Sequence, residues 1–298
     1  MKNNTIYKNK IACIIVNYND CYRTLQLVEK IKNYCSITHI IIVDNMSTDN
    51  SSDILKTLSD EKTIFIQAPK NGGYGYGNNL GILKANELND SYALIANPDV
   101  VFENECVEKM LIFISSHSEC AIVGAKEEYL GVSGWKYTSD FQDVLSSTML
   151  MNKLLKKRYY EKDYFDKPNF VSVDVIPGCF LMVNLDYMMK YGMYDEDFFL
   201  FEEEKVLYKK MSDNNLKSFV VTEASYEHRH IKTNDYSLKK MLKMKKYLLM
   251  SKFLFFKKYR LFNFFKLFLS NCIFLLAYIE MFFYGLFRII FRNKKKNC

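Results

Sequence analysis

The chain has 298 residues, 49% of them hydrophobic and 25% charged, which excludes a disordered chain and allows a sizeable core. Its net charge of +7 is uneven: residues 1–234 hold 26 Lys/Arg against 32 Asp/Glu, whereas residues 235–298 hold 15 Lys/Arg against Asp235 and Glu280 alone. An acidic body with a basic tail points to an anionic surface as partner, and the Phe, Leu and Ile of that tail make lipid the expected surface, not nucleic acid.

The stretch KIACIIVNYND (10–20) reads as a buried strand ending near Asn17. Its apolar run of six residues is too short for a signal peptide. The next segment has helical spacing, with Cys21, Leu27, Val28 and Ile31 on one face and Arg23, Gln26, Lys30 and Asn33 on the other. HIIIVDN (39–45) is a second buried strand, followed by a polar loop, and TIFIQAP (63–69) is a third. NGGYGYGNN (71–79) is a Gly-rich loop entering a helix, and SYALIANPDV (91–100) is a fourth strand that stops at Asn97 and Pro98. A helix over 103–116 and the strand CAIVGA (120–125) follow. Strand and helix alternate, so the first half is α/β with a mainly parallel sheet. Polar residues follow each strand end, and such sheets bind ligands beyond the carboxyl ends of their strands.

The second half is less regular. FVSVDVIPGCFLMVN (170–184) reads as paired strands around Pro177 and Gly178, and KSFVVTE (217–223) as a further strand before His228, Arg229 and His230. Eight cysteines are scattered without a CxxC pair, which speaks for reduced thiols in a cytosolic chain.

Several residues carry chemistry. Asp44, directly after a buried strand, is either a nucleotide ligand or a loop cap. The glycines of 71–79 bring backbone N–H groups towards an anion at a helix start, or simply make a tight turn. Asp99 suits a divalent cation shared with substrate phosphates, or caps the following helix. His228 and His230 share a face of an extended chain. FFLFEEE (198–204) sets three glutamates after an apolar run: an acidic helix start, or a carboxylate kept as a proton acceptor.

Together, IIVNYN (14–19), VDNMSTDNS (43–51), NGGYGYGNNLG (71–81), ANPDV (96–100), GCFLMVN (178–184), GMYDEDFFLFEEE (192–204) and HRHIKT (228–233) resemble family 2 glycosyltransferases of the GT-A fold. The resemblance covers roughly residues 10–235 and is nearest to the branch of rhamnosyl- and galactosyltransferases that build bacterial surface polysaccharides, capsule included. It implies a Rossmann-like, mainly parallel central sheet in a catalytic domain at 1–234, while the basic, aromatic composition of 235–298 reads as a helical membrane-associating extension. The resemblance implies an inverting transfer of a hexose from a UDP- or dTDP-sugar to a lipid-linked saccharide. Nucleotide-sugar contacts fall on Asn17, Tyr18, Asp44, Asn71, Gly72, Gly73, Asn78 and Asn97. A Mg²⁺ or Mn²⁺ ion falls on Asp99 and His228, with His230 behind; the first position of the family's DxD is Asn97 here. The base falls on Glu204, with Glu203 as close second. A sugar nucleotidyltransferase would need a phosphate loop that NYNDCYRT does not offer. The departures from Asp at Asn97 and Glu204 leave a catalytically degenerate nucleotide-sugar-binding scaffold as the alternative.

The tail spacing puts Leu238, Met241, Leu242, Leu249, Phe253 and Phe256 on one helical face, with Lys245 and Lys252 breaking the pattern. Residues 267–287 are long enough to span a bilayer, with Glu280 costing about 2.5–3.5 kcal/mol near its centre. Basic clusters flank both ends, so a shallow in-plane or re-entrant helical pair on the cytoplasmic leaflet is expected, with a single span as runner-up.

Overall fold

The computed structural model describes residues 9–129, 131–155, 159–229 and 237–296, with 162 and 291–296 described by backbone alone. His230 lies outside the described residues. Two compact units divide the chain. The first comprises Met1–Lys136, Tyr160–Phe199 and Glu203–His230; the second comprises Tyr137–Tyr159, Leu200–Glu202 and Ile231–Cys298.

The first unit is a mixed α/β layer structure. Its elements are β1 (Ile11–Asn17), α1 (Cys21–Ile31), β2 (His39–Asp44), α2 (Ser51–Lys56), β3 (Thr63–Gln67), α3 (Tyr74–Glu87), β4 (Tyr92–Ala96), β5 (Val100–Phe102), α4 (Asn104–Ser116) and β6 (Cys120–Glu127). After the second unit's first segment come β7 (Phe170–Val173), β8 (Phe180–Asn184), α7 (Leu185–Tyr191), α8 (Glu203–Ser212) and β9 (Lys217–His228). The strands form one sheet in the order β3-β2-β1-β4-β8-β6-β9-β5, with β7 also on β9. Pairing is parallel from β3 through β4 and again between β6 and β9, but β8 runs antiparallel to both β4 and β6.

The continuous apolar strands explain the two cores. Successive side chains of β1 alternate between faces. Ile11, Cys13 and Ile15 pack with Leu27, Val28 and Ile31 of α1 and Met110 of α4. Ala12 and Ile14 pack on the opposite face with Ile82 and Ala85 of α3. Each such isoleucine contributes about 1.5–3 kcal/mol by leaving water. Helix α3 lies close on β1 because residue 81 is glycine; a Cβ there would stand 2.4 Å from Ile14 Cγ2.

One expectation is corrected. The stretch 170–184 is not a hairpin: β7 pairs with β9, and β8 pairs with β4 and β6. Residues 174–179 cross between them, because β8 is needed in the middle of the sheet, where its buried FLMV run has apolar neighbours on both faces.

The second unit contains α5 (Asp140–Leu145), α6 (Met149–Leu154), α9 (Leu238–Lys258) and α10 (Phe264–Lys296). The two lysines that break the amphipathic pattern of α9 are its anchors. Lys252, 4% exposed, donates from Nζ to Asp143 Oδ1 at 3.0 Å, and Lys245 donates to the Ser147 carbonyl. The α9 face is therefore largely a packing face, not a free lipid-facing one. Glu280 accepts from the backbone N–H groups of Met149 and Leu150, the first two residues of α6. A carboxylate suits that place because the first helical N–H groups have no partner within the helix. Phe274, Ala277 and Ser270 on α10 are buried, whereas Phe264, Phe265, Phe268, Leu275, Leu276 and Phe283 are exposed. Among the described residues, one helix is long and apolar enough to cross a membrane, over Phe264–Ile290 with mean hydropathy 1.8. Seven cysteines are free among the described residues.

Candidate active site

The strand ends gather the expected residues along one edge of the first unit's sheet. Asn17 and Asp44 close β1 and β2 in register. Asp44 is fully buried. Its Oδ1 accepts from Asn17 Nδ2 at 2.7 Å and Ser47 Oγ at 2.6 Å, and its Oδ2 from Ser47 N and Gln67 Nε2, both at 3.0 Å. Asn17, also fully buried, accepts from Thr24 Oγ1 at 2.9 Å. In this ligand-free arrangement both residues hold the loop of 45–50 to the sheet. Tyr18, 46% exposed, is open to solvent, and Asn71, Gly72 and Asn97 are partly so.

The Gly-rich loop is tied to that corner. Asn45 Nδ2 donates to the Gly73 carbonyl at 2.9 Å and to Asn71 Oδ1 at 3.3 Å. Asn71 Oδ1 also accepts from Gly73 N at 3.2 Å. Residue 73 must be glycine twice over: its φ is +92°, and a Cβ would stand 2.1 Å from the Phe199 carbonyl oxygen. The loop ends sooner than the sequence suggests. Helix α3 already begins at Tyr74, so residues 75 and 77 lie inside it as packing positions, and Asn78 is buried with Nδ2 on the Tyr74 carbonyl at 3.0 Å. Gly72 and Asn71 remain partly exposed at the helix entrance.

The segment at Gly178 and Cys179 joins the remaining parts. Tyr74 OH donates to the Gly178 carbonyl, Asn97 N donates to the Cys179 carbonyl at 2.8 Å, and Gly178 N donates to Glu204 Oε1 at 3.3 Å. Glu204 is half-buried in the first turn of α8, and Glu203 beside it is 4% exposed. The two residues before that helix, Phe201 and Glu202, have φ of +74° and +69°. Consecutive left-handed non-glycine residues cost of order 1–3 kcal/mol each, and such strain clusters at functional turns. Tyr194, buried behind them, has its phenol pushed up by burial and by the carboxylates of Glu204 and Glu203.

Asp99 follows the Asn97–Pro98 turn. Its Oδ1 stands 3.1 Å from His228 Nε2, and its Oδ2 stands 3.5 Å from Arg23 Nη1. The pairing of β5 with β9 sets this geometry by putting Val100 opposite His228. Burial works against charge on His228, but the hydrogen bond to Asp99, with Cys179 alongside, outweighs it and pushes the imidazole up to about 10.

The donor set fits a divalent cation of a particular kind. Among the described residues no group of three His, Cys, Asp or Glu could hold an ion by itself. One carboxylate oxygen and one imidazole nitrogen 3.1 Å apart suit an ion that takes its other ligands from a diphosphate and water. Ligation by His228 requires loss of its proton.

The structure adds residues that the sequence reading passed over. Glu127, 4% exposed at the end of β6, accepts backbone N–H bonds from Tyr129, Gly131 and His228. The signal that singled out Asp44 and Asp99, an acid closing a buried strand, is present there too. Cys179 Sγ lies 3.4 Å from Tyr226 OH, a contact with no sequence signal. Asp44, Asp99 and Glu204 stand on the same edge, joined through Asn45, Gly73, Tyr74, Gly178 and Cys179.

Comparisons with known proteins bear on the family and the fold. The chain is 26% identical over 199 residues to the low-salt glycan biosynthesis hexosyltransferase Agl10 of Haloferax volcanii, across 65% of this chain and 59% of that protein. It therefore spans less than two thirds of the curated relative it matches. A crystal structure of GalNAc-T7 with UDP, GalNAc and Mn²⁺ superposes with a TM-score of 0.59 at 13% identity, over 77% of this chain and 45% of that one. S. aureus TarS, residues 1–349, superposes with a TM-score of 0.53 at 13% identity, over 81% of this chain and 65% of that one. These structures show a shared GT-A-type fold. Residues 12–185 match glycosyl transferase family 2, and the chain belongs to that family.

Proposed function

We propose that the protein is an inverting glycosyltransferase that moves a hexose from a UDP- or dTDP-sugar to a lipid-linked saccharide, in the assembly of a bacterial surface polysaccharide of the rhamnosyl- or galactosyltransferase type. The observation that carries this reading is the Gly178–Cys179 junction, whose backbone bonds Glu204 on one side and the Asn97–Asp99 turn on the other. A proton acceptor and a phosphate-facing acid are thereby held on one edge.

Glu204 takes the proton of the acceptor hydroxyl as that oxygen attacks the anomeric carbon. It is half-buried and adjacent to Glu203, and a positioned carboxylate is a general base within reach of a hydroxyl proton. The Gly178 N–H donates to its Oε1 and holds the carboxylate in place. Glu203 is the less accessible of the two and shapes its neighbour's field. Asp99 and His228 would hold Mg²⁺ or Mn²⁺, and such an ion would supply charge neutralisation for the leaving diphosphate. Tyr18, Asn71, Gly72 and Gly73 line the approach of the nucleotide sugar, with Asn17, Asp44, Asn78 and Asn97 fixing the backbone behind them. The crystal structure of GalNAc-T7, which shares the fold, holds UDP and Mn²⁺ and supports this choice of donor and ion.

The second unit serves as the membrane anchor on the cytoplasmic face. The exposed aromatic face of α10 supports immersion in lipid, and the lysines of α9 support an anionic headgroup layer. An in-plane attitude is favoured over a span. Glu280 is bound to α6, and α9 with its lysines lies along α10, so a spanning helix would carry these polar partners into hydrocarbon.

The test is a donor panel on vesicle-bound full-length protein, with lipid-linked saccharides as acceptors and mass-spectrometric detection. One nucleotide sugar is consumed with inversion, and Glu204→Gln stops it. Donor binding without turnover on any acceptor would leave the scaffold reading instead.

A further inference from the structure

Arg23 occupies the first turn of α1, on what the spacing makes an ordinary solvated helix face. Its guanidinium is instead engaged on two sides. Nε and Nη2 form a fork with Asp20, at 2.9 Å to Oδ1 and 2.7 Å to Oδ2. Nη1 points away from that fork and stands 3.5 Å from Asp99 Oδ2. The Arg23 side chain is 31% exposed, so its remaining N–H groups are open to a ligand. Asp99 already has His228 on its other oxygen. A single carboxylate thus stands between a guanidinium and an imidazole, at the position where the neighbouring strand end offers Asn97 in place of a second acid.

We propose that Arg23 is a diphosphate-binding residue, aimed by Asp20 and resting on Asp99 until the ligand arrives. This rests on the reading that the site takes a nucleoside diphosphate. A guanidinium has five N–H donors in a rigid plane, and two positions committed to Asp20 leave Nη1 free to move from a carboxylate oxygen to a phosphate oxygen. The same geometry has an opposite consequence for a metal ion. A divalent cation arriving at Asp99 without phosphate meets the positive charge of Arg23 within a few ångströms, whereas one arriving with a diphosphate shares that anion with it. Arg23 therefore favours the diphosphate and disfavours the bare ion.

Calorimetric titration of the full chain with inorganic pyrophosphate, and separately with Mn²⁺ alone, tests this. Arg23→Ala should weaken pyrophosphate about 10- to 100-fold, the range for a hydrogen-bonded charge. It should also tighten Mn²⁺ several-fold. Arg23→Lys, which keeps charge and loses the fork, should fall between, and Asp20→Ala should weaken pyrophosphate only a few-fold. A merely structural Arg23 would move the two ligands in the same direction or neither. Undiminished pyrophosphate binding in Arg23→Ala overturns the proposal, and if that variant does not fold, undiminished binding in Arg23→Gln does so. Wild-type protein that binds neither pyrophosphate nor UDP, GDP or dTDP takes the nucleotide-sugar reading down with it, which separates the two failures.

Discussion

Asp44 and Asp99 follow strands that flank β1 on either side, and both close an apolar run. Their surroundings differ. Asp44 is fully buried, and its partners are a backbone N–H, two amides and a hydroxyl. Asp99 keeps 13% of its side chain exposed between a guanidinium and an imidazole. An acid surrounded by fixed neutral donors holds a loop in shape. An acid set between a guanidinium and an imidazole is held by groups that an anionic ligand also engages. The same sequence signal has yielded an enclosed acid on one side of β1 and a partly exposed one on the other.

The sharpest way to use this contrast is to add the third acid. Glu204→Gln should lower transfer by about 10²–10⁴-fold, the usual contribution of a general base, with donor binding unchanged. Initial rates and donor titration on the same preparation check it, and a rate within a few-fold of wild type removes Glu204 as base. Asp99→Asn comes next. It should cost about 10²-fold in rate, weaken Mn²⁺ binding, and leave thermal unfolding nearly unchanged, since the site is partly exposed. Asp44→Ala should do the reverse. Four donors lose their acceptor, so unfolding in urea should show a loss of about 2–3 kcal/mol, from which weaker donor binding follows. Should Asp44→Ala melt like wild type while Asp99→Asn unfolds early, the contrast is inverted. Gly73→Ala adds a smaller effect, about 1–3 kcal/mol from its left-handed φ, and more where Phe199 cannot give way. The smallest effect lies in the other unit. Replacing Phe268 and Phe283 with serine should reduce flotation with anionic vesicles while pyrophosphate binding by the soluble fraction stays the same.

Much of the architecture is legible along the chain because local rules govern it. Fully apolar strands such as IACIIV and HIIIV can only be central, and their polar ends then share an edge. The segment 170–184 shows where such rules stop. Its two strands look like a hairpin, but sheet order is a long-range property, and β8 finds its partners in β4 and β6. The tail shows another limit. Lys245 and Lys252 look like flaws in an amphipathic helix until the Ser147 carbonyl and the Asp143 carboxylate are seen to receive them. Arg23 and Glu127 were hidden for the same reason: a partner remote in sequence leaves no mark on a side chain's own neighbourhood, and Arg23 meets Asp99 while Glu127 bonds His228.

The sequence alone determined the α/β alternation, the buried strands and the family motifs, because periodicity and turn chemistry act over a few residues. Only the tertiary structure decided that Asp44 is enclosed, that Asp99 lies between Arg23 and His228, and that Gly178 touches Glu204. Those facts depend on the distance between side chains remote in sequence, and strand pairing sets that distance.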